Sequence, residues 1–314
     1  MNGTTVLADC MDYLPAAPAN SIHAVCTDPP YGLVEFSSRE VQKLRAGRGG
    51  VWRIPPTING CRREPLPRFT VLTDQQKEGI ERFFEAWGTA LSGPLVPGAH
   101  VLIASNPTLQ VYVQRGLARA GYEFRSVIIR LYHGFRGGDR PKNAESDFPE
   151  VCVTPRGNYE PWLLFRKPIS EKTVAQNLRK WATGGLRMLA GNRPLPDVIP
   201  SSKTPRQERA IVKHPALKPQ HLLRTFVRAL LPLGQGVVLD PFMGSGSTIA
   251  AACAVGQASL GVEVDPSYFA DALVAIPKLA ALYPSFKGER LPLARQGGLL
   301  HRHDDFDSAP RLFE

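Results

Sequence analysis

The sequence predicts an α/β protein built on a mostly parallel, doubly wound sheet that carries one antiparallel hairpin. Three observations lead there. Short apolar, β-prone runs alternate with segments of helical period along most of the chain. Near the C-terminus, residues 237–256 run from a strand through a small-residue turn directly into a helix. Finally, 43% of the 314 residues are hydrophobic, enough for a core covered on both faces of a sheet.

Taken in order, residues 4–8 (TTVLA) and 22–27 (IHAVCT) are the first two strands. Asp74 is placed to cap a helix over 75–91, with Ile80, Phe83, Phe84 and Trp87 along one face. Residues 100–105 (HVLIAS) read as a buried strand, and Pro107 opens a helix that ends near Gly121. Residues 124–131 (FRSVIIRL) and 162–166 (WLLFR) form a hairpin pair separated by a long excursion. After a polar stretch rich in Pro and Gly come a helix (219–231), a strand (236–239), a helix (247–255) and a strand (260–264). Asp265 caps a last helix over 266–276, and from 283 the periodicity fades into a tail.

Composition narrows the function classes. No run reaches the roughly 18 apolar residues of a membrane span. The opening MNGTTVLADCMDYL lacks the basic-then-apolar order of a secretory signal. The five cysteines (Cys10, Cys26, Cys61, Cys152, Cys253) are far apart and form no C-x-x-C, which favours reduced thiols and a cytoplasmic location. The net charge of +10 suggests a polyanionic partner, and its distribution says more than its size. Residues 39–68 carry eight basic and two acidic residues, and residues 168–213 carry nine and three. Each segment is net +6, leaving −2 for the rest of the chain. The first also contains RAGRGG and little periodicity, so it reads as a long surface loop. HRHDD at 301–305 has ligand-type residues, but nothing partners it in the sequence, and no metal is expected.

Two motifs carry chemistry. In VVLDPFMGSGSTIAAACAVG, Gly244 and Gly246 let the backbone approach a ligand, and the free N–H groups of the following helix favour an anionic group. No Lys follows the last glycine, so this is not a phosphate-binding P-loop. Glu263, at the end of the next strand, is placed to accept hydrogen bonds from ribose hydroxyls. Together with Asp240 this points to a nucleoside-type cofactor. The second motif, Asp28-Pro29-Pro30-Tyr31, follows a strand. Its prolines fix φ and remove two N–H donors, leaving the Pro29 carbonyl as an acceptor beside the Asp28 carboxylate. Two acceptors can hold both hydrogens of an exocyclic amine and aim its lone pair at an incoming methyl group. Tyr31 offers a face for a flipped base.

DPFMGSGST resembles the cofactor motif of amino-methylating DNA methyltransferases, and DPPY is similar to that family's catalytic motif. The order, catalytic motif first and cofactor loop last, resembles the β group. The resemblance covers roughly residues 4–168 and 212–277 and implies a Rossmann-like fold with S-adenosylmethionine as cofactor. It implies catalytic roles for Asp28, Pro29, Pro30 and Tyr31, and cofactor contacts from Asp240, Pro241, Phe242, Gly244, Ser245, Gly246, Ser247, Thr248 and Glu263. LADCMDYL looks like the family's short acidic motif, which suggests Asp9 near the adenine, although Asp9 could equally cap a turn. KHPALKP is similar to the family's segment that closes the methionine end of the pocket, through Lys218. YEPWLLFRKP resembles a hairpin segment facing the target base, with Trp162 and Phe165 read as core.

The organisation then implied is a catalytic half at 1–167 with a basic loop at 39–72, and a target-recognition region at 168–212. A cofactor-binding half follows at 213–282, with a tail at 283–314. Arg45, Arg48, Arg53, Arg179, Lys180, Arg187, Arg206 and Arg209 are candidate DNA contacts. The activity expected is methyl transfer to adenine N6 in duplex DNA by base flipping, with no catalytic cysteine. By the resemblance, aspartate at the first catalytic position points to adenine; cytosine N4, whose enzymes share the fold and usually, though not always, carry Ser there, is the alternative. An RNA methyltransferase and a non-catalytic DNA-binding module are more distant readings. The resemblance leaves room for a homodimer and a cognate restriction endonuclease.

Overall fold

A computed structural model describes residues 3–30, 57–58, 61–62, 72–132, 141, 144–153, 155, 157–212 and 217–291. Tyr31, Arg45, Arg48, Arg53, the KHPA part of KHPALKP and the HRHDD segment lie outside the described residues.

The main sheet has eight strands: β1 (Gly3–Leu7), β2 (Ile22–Thr27), β5 (Leu95–Ala104), β6 (Glu123–Leu131), β7 (Tyr159–Arg166), β8 (Val198–Pro200), β9 (Val237–Asp240) and β10 (Ala258–Glu263). Two short strands, β3 (Thr57–Ile58) and β4 (Cys61–Arg62), pair with each other. The helices are α1 (Cys10–Ala16), α2 (Asp74–Ser92), α3 (Gln110–Arg119), α4 (Val174–Trp181), α5 (Arg206–Ile211), α6 (Gln220–Leu230), α7 (Ser247–Ala254) and α8 (Pro266–Ala281).

Strand order is β1-β10-β9-β2-β5-β7-β6-β8. β7 is antiparallel to both β5 and β6, and every other pairing in the sheet is parallel. The predicted doubly wound sheet and its hairpin are therefore both present. Residues alternate between the two faces as the strand period requires. Val25, Val101, Ile103, Leu163 and Phe165 join one apolar core with α2 and α3. Ala24, Cys26, Leu102, Trp162 and Leu164 join a second with α6. A third cluster seals α7 against α8.

Four local readings change. Thr73 caps α2 instead of Asp74, because its hydroxyl accepts from the Gln76 N–H while Gln76 returns the bond in a capping box. α3 starts at Gln110, after a turn in which the Asn106 side chain accepts from the Thr108 N–H. α8 continues through Pro277 to Ala281, since buried Leu279 outweighs one missing helical bond. The first part of the expected tail is packed structure. The Arg224 guanidinium on α6 donates to the carbonyls of Leu279, Ala280, Leu282, Tyr283 and Phe286, and the Thr225 hydroxyl donates to that of Arg290.

Candidate active site

The chain turns from one half of the sheet to the other between β9 and β2. β10 and β1 lie on one side of that pair, β5 on the other. A crevice outside the carboxyl ends of the strands is expected at such a switch point. Both sequence motifs begin there, although 212 residues separate Asp28 from Asp240. The Thr27 hydroxyl donates to Asp240 Oδ1 at 2.7 Å and ties the two strand ends together.

Asp240 is buried, and burial pushes its carboxyl up to about 6, partly offset by hydrogen bonds from Thr27, Thr248 and the Phe242 N–H. The loop from Pro241 to Gly246 is fastened to β10: the Met243 N–H donates to the Val262 carbonyl at 3.0 Å, and the Gly244 N–H donates to Glu263 Oε2 at 2.8 Å. Glu263 also accepts the Asp265 N–H through Oε1. The residue predicted to meet a ribose is seen to brace the glycine loop. Gly246 has φ +81° and caps α7 without a side chain, so no side-chain acceptor covers the first-turn N–H groups at Ser247 and Thr248. A ligand carboxylate fits that end. Ser245, Ser247 and Thr248 are buried beside it, while half-buried Phe242 leans on Trp87 at 5.9 Å between ring centroids. Asp9 caps α1, accepting the Met11 N–H at 2.8 Å, and stands next to the Ala8 N–H that bonds the Glu263 carbonyl.

On the β2 side, Asp28 Oδ2 lies 2.5 Å from Lys218 Nζ. Lys218 also reaches Glu160 Oε1 at 3.0 Å. Glu160 Oε2 receives the Arg130 guanidinium and the Trp162 indole N–H, each at 3.0 Å. Burial alone would raise the Glu160 carboxyl, but Lys218 and Arg130 outweigh it and hold it at about 2. Burial also opposes the Lys218 charge, yet Asp28 and Glu160 overcome it and raise the ammonium above its ordinary value. Sequence reasoning passed over Arg130 and Glu160. The available signal was a basic residue near the end of one hairpin strand and an acidic residue near the start of the other. The register makes those charges direct cross-strand partners. Trp162 is fully buried against Phe226, in the core as expected.

The basic candidates separate. α5 is stapled to the segment before α6, because Glu208 accepts the Gln220 N–H and the Thr204 hydroxyl bonds the Leu217 carbonyl. Arg206 and Arg209 therefore stand near Lys218, at the end of the sheet that holds Asp28. Arg179 and Lys180 lie on α4, which Asn177 and Thr183 pin to the Pro97 carbonyl at the opposite end of β5. The Arg187 N–H bonds the Ala229 carbonyl near the C-terminal end of α6, also away from Asp28.

A DNA methylase family model for N6 and N4 enzymes matches residues 22–274. The chain belongs to this family. Its members methylate exocyclic amino groups in DNA, adenine N6 or cytosine N4, and use S-adenosylmethionine. Among relatives of this DNA methylase, the Type II methyltransferase M.HindIII of Haemophilus influenzae is 22% identical over 271 residues, covering 78% of this chain and 85% of that one. The PvuII DNA methyltransferase, described as cytosine-N4-specific, shares the fold at TM-score 0.56 and 17% identity, covering 92% of this chain and 94% of that one. TTHA0409 of Thermus thermophilus, a putative DNA modification methylase solved with S-adenosyl-L-methionine, aligns at TM-score 0.51 and 20% identity over 90% and 98% of the two chains. Among the described residues, no helix of the methylase is long and apolar enough to cross a membrane.

Proposed function

We propose that this methylase modifies adenine N6 in duplex DNA, in the cytoplasm, with the target base turned out of the helix. The observation that carries the reading is Asp28 at the crevice, fixed by Lys218 and next in sequence to the Thr27 that bonds Asp240. S-adenosylmethionine supplies an electrophilic methyl group on a sulfonium. Asp240, the glycine loop, Glu263 and the α7 N-terminus would hold it. Asp9 stands at the rim for the adenine end.

Asp28 and the Pro29 carbonyl accept the two N–H groups of the amine. Its nitrogen is then pyramidal, with the lone pair aimed at the methyl carbon. Paired with the Lys218 ammonium, Asp28 acts as an acceptor that orients the amine. The nitrogen–carbon bond forms as the carbon–sulfur bond breaks, and the cationic product amine then releases one proton to solvent. No enzyme nucleophile takes part. Pro30 extends the wall of the base pocket, and Arg206 and Arg209 contact the DNA backbone beside it.

Digestion of DNA from cells expressing the enzyme, with mass spectrometry of the nucleosides, tests the reading. N6-methyladenine is expected. N4-methylcytosine alone would transfer the reading to the other base of the family, and the absence of both modified bases would remove the reading.

A further inference from the structure

Glu160 belongs to neither motif, yet it holds the residue that holds Asp28. We propose that Glu160 is a positioning residue of the methyl-transfer site: it anchors the Lys218 ammonium on Asp28, so that this carboxylate keeps one orientation. The inference rests on the reading of Asp28 as the acceptor for the target amine.

Four buried or largely buried charges alternate in sign from the hairpin to the crevice. They run from Arg130 on β6 to Glu160 on β7, then to Lys218 before α6 and to Asp28 after β2. Their sum is zero, which makes the burial tolerable, and removing one member leaves an uncompensated charge. Glu160 is the fixed point. It lies directly across the ladder from Arg130, and its Oε2 is shared by that guanidinium and the Trp162 indole. Arg130 is itself held, donating to the Ser201 hydroxyl and the Ser202 carbonyl, with its guanidinium 4.7 Å from the centre of the Tyr132 ring. Glu160 Oε1 thus presents a rigid acceptor to Lys218. A lysine stem has four rotatable bonds, and an ammonium held by Asp28 alone would leave the carboxylate free to swing with it.

Among the described residues, the groups facing Lys218 include Asp28, Glu160, Arg130 and Tyr132. Of these, Glu160 and Asp28 favour its charged form and Arg130 opposes it. Loss of the Glu160 charge lowers the pH at which Lys218 gives up its proton. The alkaline limb of the activity profile must then move to lower pH. A purely structural hairpin contact would not move it.

The test compares Glu160→Gln with wild type. It follows single-turnover transfer of radiolabelled methyl from S-adenosylmethionine to unmethylated genomic DNA across pH, alongside calorimetric binding of S-adenosylmethionine. The expected result is a rate about 100-fold lower, cofactor affinity within about threefold, and an alkaline limb at lower pH. A rate within about threefold of wild type with an unmoved limb overturns the proposal, as does a loss of cofactor affinity that accounts for the whole effect. If Glu160→Gln gives no cooperative thermal transition, Lys218→Gln carries the same rate and affinity criteria. Asp28→Asn separates the two levels. If it retains wild-type rate, the reading of Asp28 fails. If it is inactive while Glu160→Gln is unaffected, only the role of Glu160 fails.

Discussion

Gly246 meets two constraints that exclude a side chain. Its φ of +81° lies in the left-handed region, and a Cβ there would sit 2.5 Å from Ile276 Cγ1 on α8. Its neighbour Gly261 is as tightly placed, since a Cβ would stand 2.3 Å from Met243 Sδ in the loop. Gly246→Ala should therefore cost about 2–4 kcal/mol and tilt the α7 N-terminus. Thermal melts should show the loss, and calorimetry should show weakened S-adenosylmethionine binding. An alanine variant with wild-type melting and affinity would mean that the loop tolerates a wider turn. Asp28 poses a different problem, since its backbone position is set by β2 but its carboxylate is held by Lys218. The Asp28→Ala variant should keep DNA binding and lose methyl transfer, as measured by gel shift and isotope incorporation.

Helix α5 is the element through which pH should act on stability. Glu208 on α5 is fully buried and accepts from the Gln220 N–H and the Tyr283 hydroxyl. Burial pushes its carboxyl up to about 7 from an ordinary 4.5, and the hydrogen bonds and Arg224 only partly offset this. The folded state therefore binds this proton more tightly than the unfolded chain does. Stability falls as pH rises from about 4.5 to about 7, and the penalty is complete above that. Glu208→Gln should stabilise the protein at pH 8 by on the order of 1–3 kcal/mol and flatten that stretch of the profile. Denaturant midpoints at pH 5 and pH 8 measure it. Glu160 acts in the opposite direction. Its carboxyl is held at about 2 against burial, so its contribution is present above 4.5 and is lost as pH falls toward 2.

Across the whole molecule, the tertiary structure divides the second basic segment. Arg206 and Arg209 share the end of the sheet with Asp28, while Arg179, Lys180 and Arg187 lie toward the other end. Replacing Arg206 and Arg209 with Ala should weaken DNA binding and reduce the slope of log affinity against log salt by about 1 per phosphate contact. Replacing Arg179 and Lys180 should leave both nearly unchanged. Lys180 already pairs with Glu171 at 2.6 Å, which further argues for a local role. Equal losses from both pairs would mean that the duplex follows a longer path than one end of the sheet.

Although the helix at Cys10–Ala16 and the elements at Val174–Trp181, Val198–Pro200 and Arg206–Ile211 were not read from the sequence, periodicity and two motifs were enough to determine the fold class, most strands and helices of the catalytic body, the hairpin and the family. These features are local. An apolar alternation, a helix cap or a glycine turn is written in adjacent residues, because the backbone responds to its immediate neighbours. The resemblance of DPPY and DPFMGSGST also joined the two motifs in one functional reading before any contact was known. The tertiary structure alone decided which charges meet. Arg130, Glu160, Lys218 and Asp28 come from four separate elements, and their pairing follows from strand order and register, which no window of sequence contains. Strand direction likewise decided which basic residues share the crevice, because a run of like charges in sequence can be carried to opposite ends of a sheet.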